Sequence, residues 1–281
     1  GQVSKVKLAT MEAAWETEPA PSSLTLFGFP DQEEMKTRGA IHLPWVGGLL
    51  ITRSLDTPIP GIRELMEENE GKIRNGMRAY GLMEQIRGGD KSEARLAEFR
   101  QVQEDLGYGL LLKRYSDKVV DADEEMIQQA ARDTIPNVAL MFWSFRIMVG
   151  LGFWMLFLIG LSFYFCARRT YHRQRWLLRL LLISLPAPWL ACWMGWFVVE
   201  YGRQPWTIGG VLPTFFSVSS LTPGNVMGSM AALLFFYTLL LVPWFYLMQK
   251  FARRGPSSLH TGRYHFEHSP TADSAVSESA A

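Results

Sequence analysis

The chain is poor in the residues that build soluble active sites. Of 281 residues only two are cysteine and five histidine. No CxxC, HExxH or histidine cluster is present, so zinc and dithiol chemistry lack a ligand set. There is no phosphate-binding glycine loop and no internal repeat, and soluble-enzyme chemistry is poorly supported. With 28 basic against 27 acidic side chains, a strongly basic nucleic-acid binder is also disfavoured. No signal peptide opens the chain. It starts at Gly1 in what reads as the first turns of a helix, and is expected to be a piece of a longer protein.

The near-zero charge is the sum of two unlike halves. Residues 1–136 hold 17 basic and 23 acidic side chains (net −6), and residues 137–281 hold 11 and 4 (net +7). Of 36 aromatics, 25 fall between Phe142 and Tyr246. One uniform globule does not have this distribution.

Uncharged runs of 21, 20 and 24 residues occupy Ile147–Ala167, Leu180–Val199 and Val226–Gln249. About 20 residues at ~1.5 Å rise cross the ~30 Å hydrocarbon core of a bilayer. Buried helices of a soluble protein would require three fully apolar helices of this length in one small domain. The expected fold class is therefore α: a membrane protein with three transmembrane helices of a larger helical bundle, preceded by a mostly helical outer loop domain. The expected segments are an outer loop region 1–136, a first span 137–169, a basic loop 170–179, a second span 180–200, an outer loop 201–225, a third span 226–249 and a tail 250–281. Arg168, Arg169, Arg173, Arg175 and Arg179 after the first span, and Lys250, Arg253 and Arg254 after the third, predict those sides to be cytoplasmic. Residues 1–136 then lie outside, as does the loop carrying Arg203. Trp143, Trp176, Trp206 and Trp244 are expected near the headgroups, while Trp154, Trp189, Trp193 and Trp196 lie deeper and are expected to pack against something bulky. Cys166 and Cys192 read as small apolar fillers.

In the outer segment, Leu8, Met11 and Trp15 form one stripe of a helix over residues 3–16, stopped by Pro19 and Pro21. Residues 22–60 read as irregular, with short extended pieces such as Leu24–Phe27. Helical patterns return through Ile62, Leu65 and Met66, then Met77 to Ile86, then Leu96 to Leu106, then Met126 to Ala130, the last capped by Asp121 or Asp123. The tail after Gly255 reads as disordered.

Two ionisable groups lie where lipid makes charge costly: Arg146 at the start of the first span and Glu200 at the end of the second. Glu200 is either a functional carboxylate or half of an interfacial ion pair with Arg203. No histidine falls in a span. Met148 and Glu200 are the available axial donors for a haem, although a methionine in a span is far more often core packing.

The strings KLATMEAAWETEPAP (Lys7–Pro21), FGFPDQEE (Phe27–Glu34), TRSLDTPIPG (Thr52–Gly61), DLGYGLLLKRY (Asp105–Tyr115), FRIMVG (Phe145–Gly150), GWFVVEYGRQPW (Gly195–Trp206) and KFARRGPSSLHTGRYHFE (Lys250–Glu267) together resemble the large subunit, subunit I, of cytochrome bd-type quinol oxidases. The agreement runs in order along nearly the whole chain. It corresponds to about the C-terminal half of such a subunit: the long form of its periplasmic quinol loop, then its last three transmembrane helices.

The resemblance implies specific roles. Lys7 and Glu12 match the loop residues of quinol binding and oxidation, and Arg146 the arginine that stabilises the low-spin haem b and the quinol site. Met148 matches an iron ligand of low-spin haem b, and Glu200 that of high-spin haem b. Arg203 would neutralise haem propionates or the carboxylate, and Trp196 matches a tryptophan between haems. Haem d, ubiquinol or menaquinol, O2, the missing N-terminal half, subunit II, a small single-helix subunit and a bacterial inner membrane complete the implied setting. The resemblance further implies electrons passing through haems b to haem d, O2 reduced to water, a proton gradient, and no activity from the fragment alone. Trp193 and Pro243-Trp244 depart from the family pattern of acidic or small residues, so no proton path through those positions is implied. Lys7 and Glu12, five apart, point ~140° from each other on a straight helix. From the residues alone, a solvated helix face with Lys5, Glu12 and Glu16 in line is the favoured reading of the pair. The other class of function open to the sequence is a membrane-anchored periplasmic ligand-binding or sensor module without haem.

Overall fold

The computed structural model describes residues 4–20, 22–44, 58–89, 91–170 and 173–254. The tail after Gly255, with His260, His265 and His268, lies outside the described residues, as do most of Thr52–Gly61 and His172. The chain divides into two compact units, residues 1–218 and 219–281.

The first unit opens with α1 (Lys5–Glu12), started by the Ser4 side chain accepting from the Lys7 N–H. The helix is shorter than the apolar stripe predicts. Ala13 adopts a left-handed conformation, φ 52°, and its N–H closes back on Ala9 and Thr10. Trp15 therefore leaves the helix and joins a core of Ala9, Ile62, Leu65, Ile135, Val138 and Phe142. Each large apolar side chain buried there contributes ~1.5–3 kcal/mol.

The stretch expected to be irregular holds a regular antiparallel hairpin, β1 (Leu24–Asp31) and β2 (Lys36–Leu43), with Leu24 opposite Leu43 and Asp31 opposite Lys36. Two register shifts in β1 interrupt the apolar alternation, which is why the period of two is hidden in the sequence. The turn closes through Met35 at φ 50° and through Asp31 Oδ1 accepting from the Glu33 and Glu34 N–H groups.

α2 (Ile62–Arg87) is one helix of 26 residues that buries Ile62, Leu65, Ile73, Ala79 and Leu82. α3 (Glu93–Val102), the short α4 (Leu106–Leu110) and α5 (Glu124–Asp133) pack along it. α5 follows Asp123, with Glu124 and Glu125 in its first turn and Arg132 in its last, matching the helix dipole. A second core of Ile73, Leu112, Val119, Ile127, Ala130 and Trp206 lies between these helices.

Among the described residues, three helical segments have the length and apolarity to cross a membrane. The first is α6 (Val138–Ala167), capped by Asn137 Oδ1 accepting from the Leu140 N–H at 3.0 Å. The second, Arg175–Tyr201, is two helices rather than one: α7 (Arg175–Ile183) and α8 (Ala187–Tyr201). Pro186 and Pro188 interrupt it, because proline supplies no N–H to the helical ladder. α8 packs on α6. Trp189, Trp193 and Trp196 are exposed rather than packed against bulk within this chain, consistent with helices that meet lipid or further protein. Cys166 and Cys192 are free thiols. After α8 a small hairpin, β3 (Trp206–Ile208) and β4 (Leu212–Pro213), folds back on the loop domain through Trp206.

The second unit is α9 (Pro223–Arg254), apolar over most of its length, with Pro243 inside it.

Candidate functional site

The hairpin, α1 and α6 converge on one guanidinium. Arg146 lies on α6 one turn after Phe142, and its Cζ stands 3.4 Å from the centroid of that buried ring. Its Nη1 donates to Met11 O at 2.5 Å and Phe142 O at 3.2 Å, its Nε donates to Thr25 O at 2.8 Å, and its Nη2 donates to Glu12 Oε2 at 3.0 Å and also to Thr25 O. One side chain thus ties the first span to the end of α1 and to β1. The planar fork of arginine allows this, whereas an ammonium could not reach so many acceptors in one plane.

Glu12 is enclosed in the same cluster, with only 3% of its side chain exposed. The alternative of a solvated face with Lys5 and Glu16 is therefore excluded for this residue. Its Oε2 accepts from Arg146 and from the Thr25 N–H at 3.2 Å. Its Oε1 is buried and bonded to nothing. Burial pushes the carboxyl up to about 7, against the opposing pull of Arg146 and the Thr25 N–H. Such a group gains and loses a proton near neutral pH, which a general acid or base requires.

Lys7 does not join Glu12. Its Nζ donates to Val199 O at 3.0 Å, near the C-terminus of α8, where a cation complements the exposed carbonyls. Burial and the nearby Arg203 hold its ammonium below the usual lysine value. The two side chains therefore part: Lys7 reaches the α8 carbonyl of Val199, while Glu12 is held by Arg146 on α6 and by the Thr25 N–H on β1. Lys7 lines a cavity of about 470 Å³ together with Lys72, Glu68, Tyr108, Arg203 and Trp206. Tyr108 meets Trp206 edge to face at 4.9 Å, and Lys72 donates to Glu68 at 2.7 Å beneath its ring. Gly107 and Gly109 flank that tyrosine because a Cβ there would lie 2.1 Å from Gly210 O and 2.3 Å from the Gly76 backbone. Tyr108, Lys72 and Glu68 were not singled out by sequence reasoning, although paired glycines around one tyrosine were a usable signal. Thr25 and Met11 act through backbone carbonyls, for which no side-chain signal exists.

Glu200 and Arg203 pair at 3.3 Å, both nearly half exposed, and such a pair is worth little on its own. Met148 on α6 faces Gly195 on α8, where a Cβ would stand 3.0 Å from its sulfur. Among the described residues no group of three or more His, Cys, Asp or Glu side chains could hold a bare metal ion. The donor set does fit a haem, whose ring occupies four positions and asks the protein for one or two axial groups: the half-buried Met148 offers a thioether and Glu200 a solvent-reachable carboxylate.

Fold and site together define an α-helical membrane protein whose extramembrane loop carries a buried carboxylate, Glu12, clamped by Arg146 of a spanning helix. Residues 1–256 match the family model for cytochrome bd terminal oxidase subunit I. The chain belongs to that family. It is 42% identical over 260 residues to cytochrome bd-II ubiquinol oxidase subunit 1 of Escherichia coli (strain K12), covering 92% of this chain and 51% of that one. It is 26% identical over 236 residues to cytochrome bd ubiquinol oxidase subunit 1 of Bacillus subtilis (strain 168), covering 84% and 38%. The chain thus spans about half the length or less of these relatives.

Proposed function

We propose that this chain is the C-terminal part of subunit I of a terminal oxidase that oxidises ubiquinol or menaquinol on its loop region, residues 1–136. The observation that carries this reading is the buried Glu12 carboxylate, poised near neutrality and held by Arg146 from the first span. A quinol gives up two protons with its two electrons, so its site needs a proton acceptor whose affinity lies near the working pH. Oε1 of Glu12, the unbonded oxygen, takes the hydroxyl proton, while Arg146 keeps the carboxylate in place and balances its charge once the proton has left. Lys7 presents an ammonium donor to a quinol oxygen from the neighbouring cavity. Arg203 offsets Glu200 or a haem propionate.

Met148 would hold low-spin haem b and Glu200 high-spin haem b, with Trp196 one turn before Glu200 on α8. When bound, these haems and haem d supply one-electron acceptance and the reduction of O2 to water. In the proposed orientation the loop region is periplasmic and the arginine-rich connection and tail are cytoplasmic, so protons released at Glu12 add to a gradient across the bacterial inner membrane. The rest of subunit I, subunit II and a small single-helix subunit complete the oxidase, and the 281-residue chain alone is inactive. The test is Glu12→Ala in the complete oxidase: quinol oxidation is expected to fall sharply with assembly intact, and unchanged kinetics would overturn the reading.

A further inference from the structure

The β1–β2 hairpin carries an apolar patch that the Glu12–Arg146 pair does not use. Phe29 and Ile41 are 58% and 57% exposed, with Leu26, Phe27 and Leu43 also exposed around them. Phe27 and Phe29 lie two apart on β1, and Ile41 is the cross-strand partner of Phe27. Scattered exposed apolar residues need no explanation, but a contiguous aromatic patch marks a surface that something covers.

We propose that this hairpin is a membrane-interface anchor, its Phe27, Phe29 and Ile41 side chains seated in the headgroup layer at the N-terminal end of the first span. The depth follows from α6. The ring of Phe27 meets Trp143 edge to face at 5.3 Å, and that of Phe29 lies 6.0 Å from the same indole. Trp143 precedes the start of the uncharged run at Ile147 by four residues, about 6 Å of helix. That height is the boundary where aromatic rings concentrate in membrane proteins. Helical spacing puts Trp143, Ile147 and Trp154 on one face of α6, and the latter two are exposed in this chain, so the patch continues an apolar face of the first span.

The hairpin cannot swing clear of this position. Gln32 Oε1 accepts from the Val138 N–H at 3.1 Å, the Trp15 indole donates to Thr37 Oγ1 at 2.9 Å, and Thr25 O receives Arg146. Removing apolar area from water contributes about 25 cal/mol per Å², and seating these side chains in lipid supplies that gain. Thr25, which holds both Glu12 and Arg146, then lies two residues from a lipid-embedded ring. The inference rests on α6 crossing the bilayer and is independent of quinol chemistry.

The experiment places nitroxides at Phe29→Cys and Ile41→Cys of the complete oxidase, with Glu104→Cys on the exposed surface of the loop region as the aqueous reference. Other reactive cysteines are removed, and the complex is held in nanodiscs of phosphatidylethanolamine and phosphatidylglycerol. Collision with molecular oxygen, which concentrates in lipid, is compared with collision with a water-soluble nickel chelate. A severalfold higher oxygen-to-nickel ratio at both hairpin positions than at Glu104 is expected. A ratio at either position no higher than at Glu104 overturns the proposal, as does low access to both reagents, which would mean that another protein surface covers the patch. A lipid-like ratio in a complex that fails to oxidise quinol would leave the anchor standing and remove the quinol reading alone.

Discussion

Arg146 Nη2 and Glu12 Oε2 stand 3.0 Å apart although 134 positions separate them in the chain. The pair is one of several buried junctions between the loop region and the first membrane span. The carboxylate keeps one oxygen bonded and one without a hydrogen-bond partner.

The first prediction concerns pH. With the Glu12 carboxyl at about 7, the base form is depleted below that value, so quinol oxidation by the complete oxidase is expected to rise as pH passes through about 7. Glu12→Gln should abolish this limb. Measured kcat/KM profiles of both proteins from pH 5 to 9 decide it, and an unchanged limb in the variant would remove Glu12 as the base.

Stability should move the other way. The folded value of Glu12 is raised from 4.5 to about 7. Below about 4.5 the group is protonated in both folded and unfolded states and its burial costs nothing extra. Between about 4.5 and 7 the unfolded chain ionises first and the folded loop loses stability, until the full penalty is reached above about 7. The difference in thermal midpoint between wild type and Glu12→Gln should therefore shift in favour of the variant as pH rises across this window. A flat difference would contradict the burial-driven shift.

Arg146→Leu leaves Glu12 Oε2 with the Thr25 N–H alone and takes the guanidinium donor from the carbonyls of Met11 and Thr25. Removing one partner of a buried pair costs ~3–5 kcal/mol. Loss of the nearby positive charge also raises the Glu12 carboxyl further, so any remaining pH limb moves to more alkaline values. Limited proteolysis of residues 22–44 together with the pH profile tests both consequences. A protease-resistant loop with an unmoved limb would refute the clamp.

At Gly195 a Cβ would approach Met148 Sδ to 3.0 Å. If that sulfur ligates low-spin haem b, Gly195→Val should displace it and alter the reduced-minus-oxidised spectrum of membranes containing the complete gene product. Met148→Leu should remove the low-spin signature, and Gly195→Ala should have an intermediate effect. An unaltered spectrum in Met148→Leu would end the ligand assignment. Absence of any haem spectrum from the wild-type product would instead favour a membrane-anchored sensor.

Much of this protein was legible in its sequence. Uncharged runs of sufficient length specify membrane-crossing helices whatever their neighbours, because the requirement is local: about 20 apolar residues meet ~30 Å of hydrocarbon. The charge split between the halves and the ordered family strings are equally local. The break at Pro186 was readable too, since proline acts on its own backbone, yet the apolar run masked it. The hairpin at residues 24–43 was not, because register shifts at Thr25, Phe27 and Phe29 erase the alternation on which strand reading depends.

The site was divided in the same way. Sequence alone singled out Lys7, Glu12, Arg146, Met148, Glu200 and Arg203, but not which of them meet. That Glu12 is buried rather than solvated, that it pairs with Arg146, and that Lys7 turns instead toward Val199 were decided by α1 ending at Ala13 and by the hairpin folding over it. Residue type determines what a group can do, and helical spacing determines only what lies within a turn or two of it. The proton affinity of a carboxylate depends on its distance from charge and water, and packing between segments more than a hundred residues apart sets both.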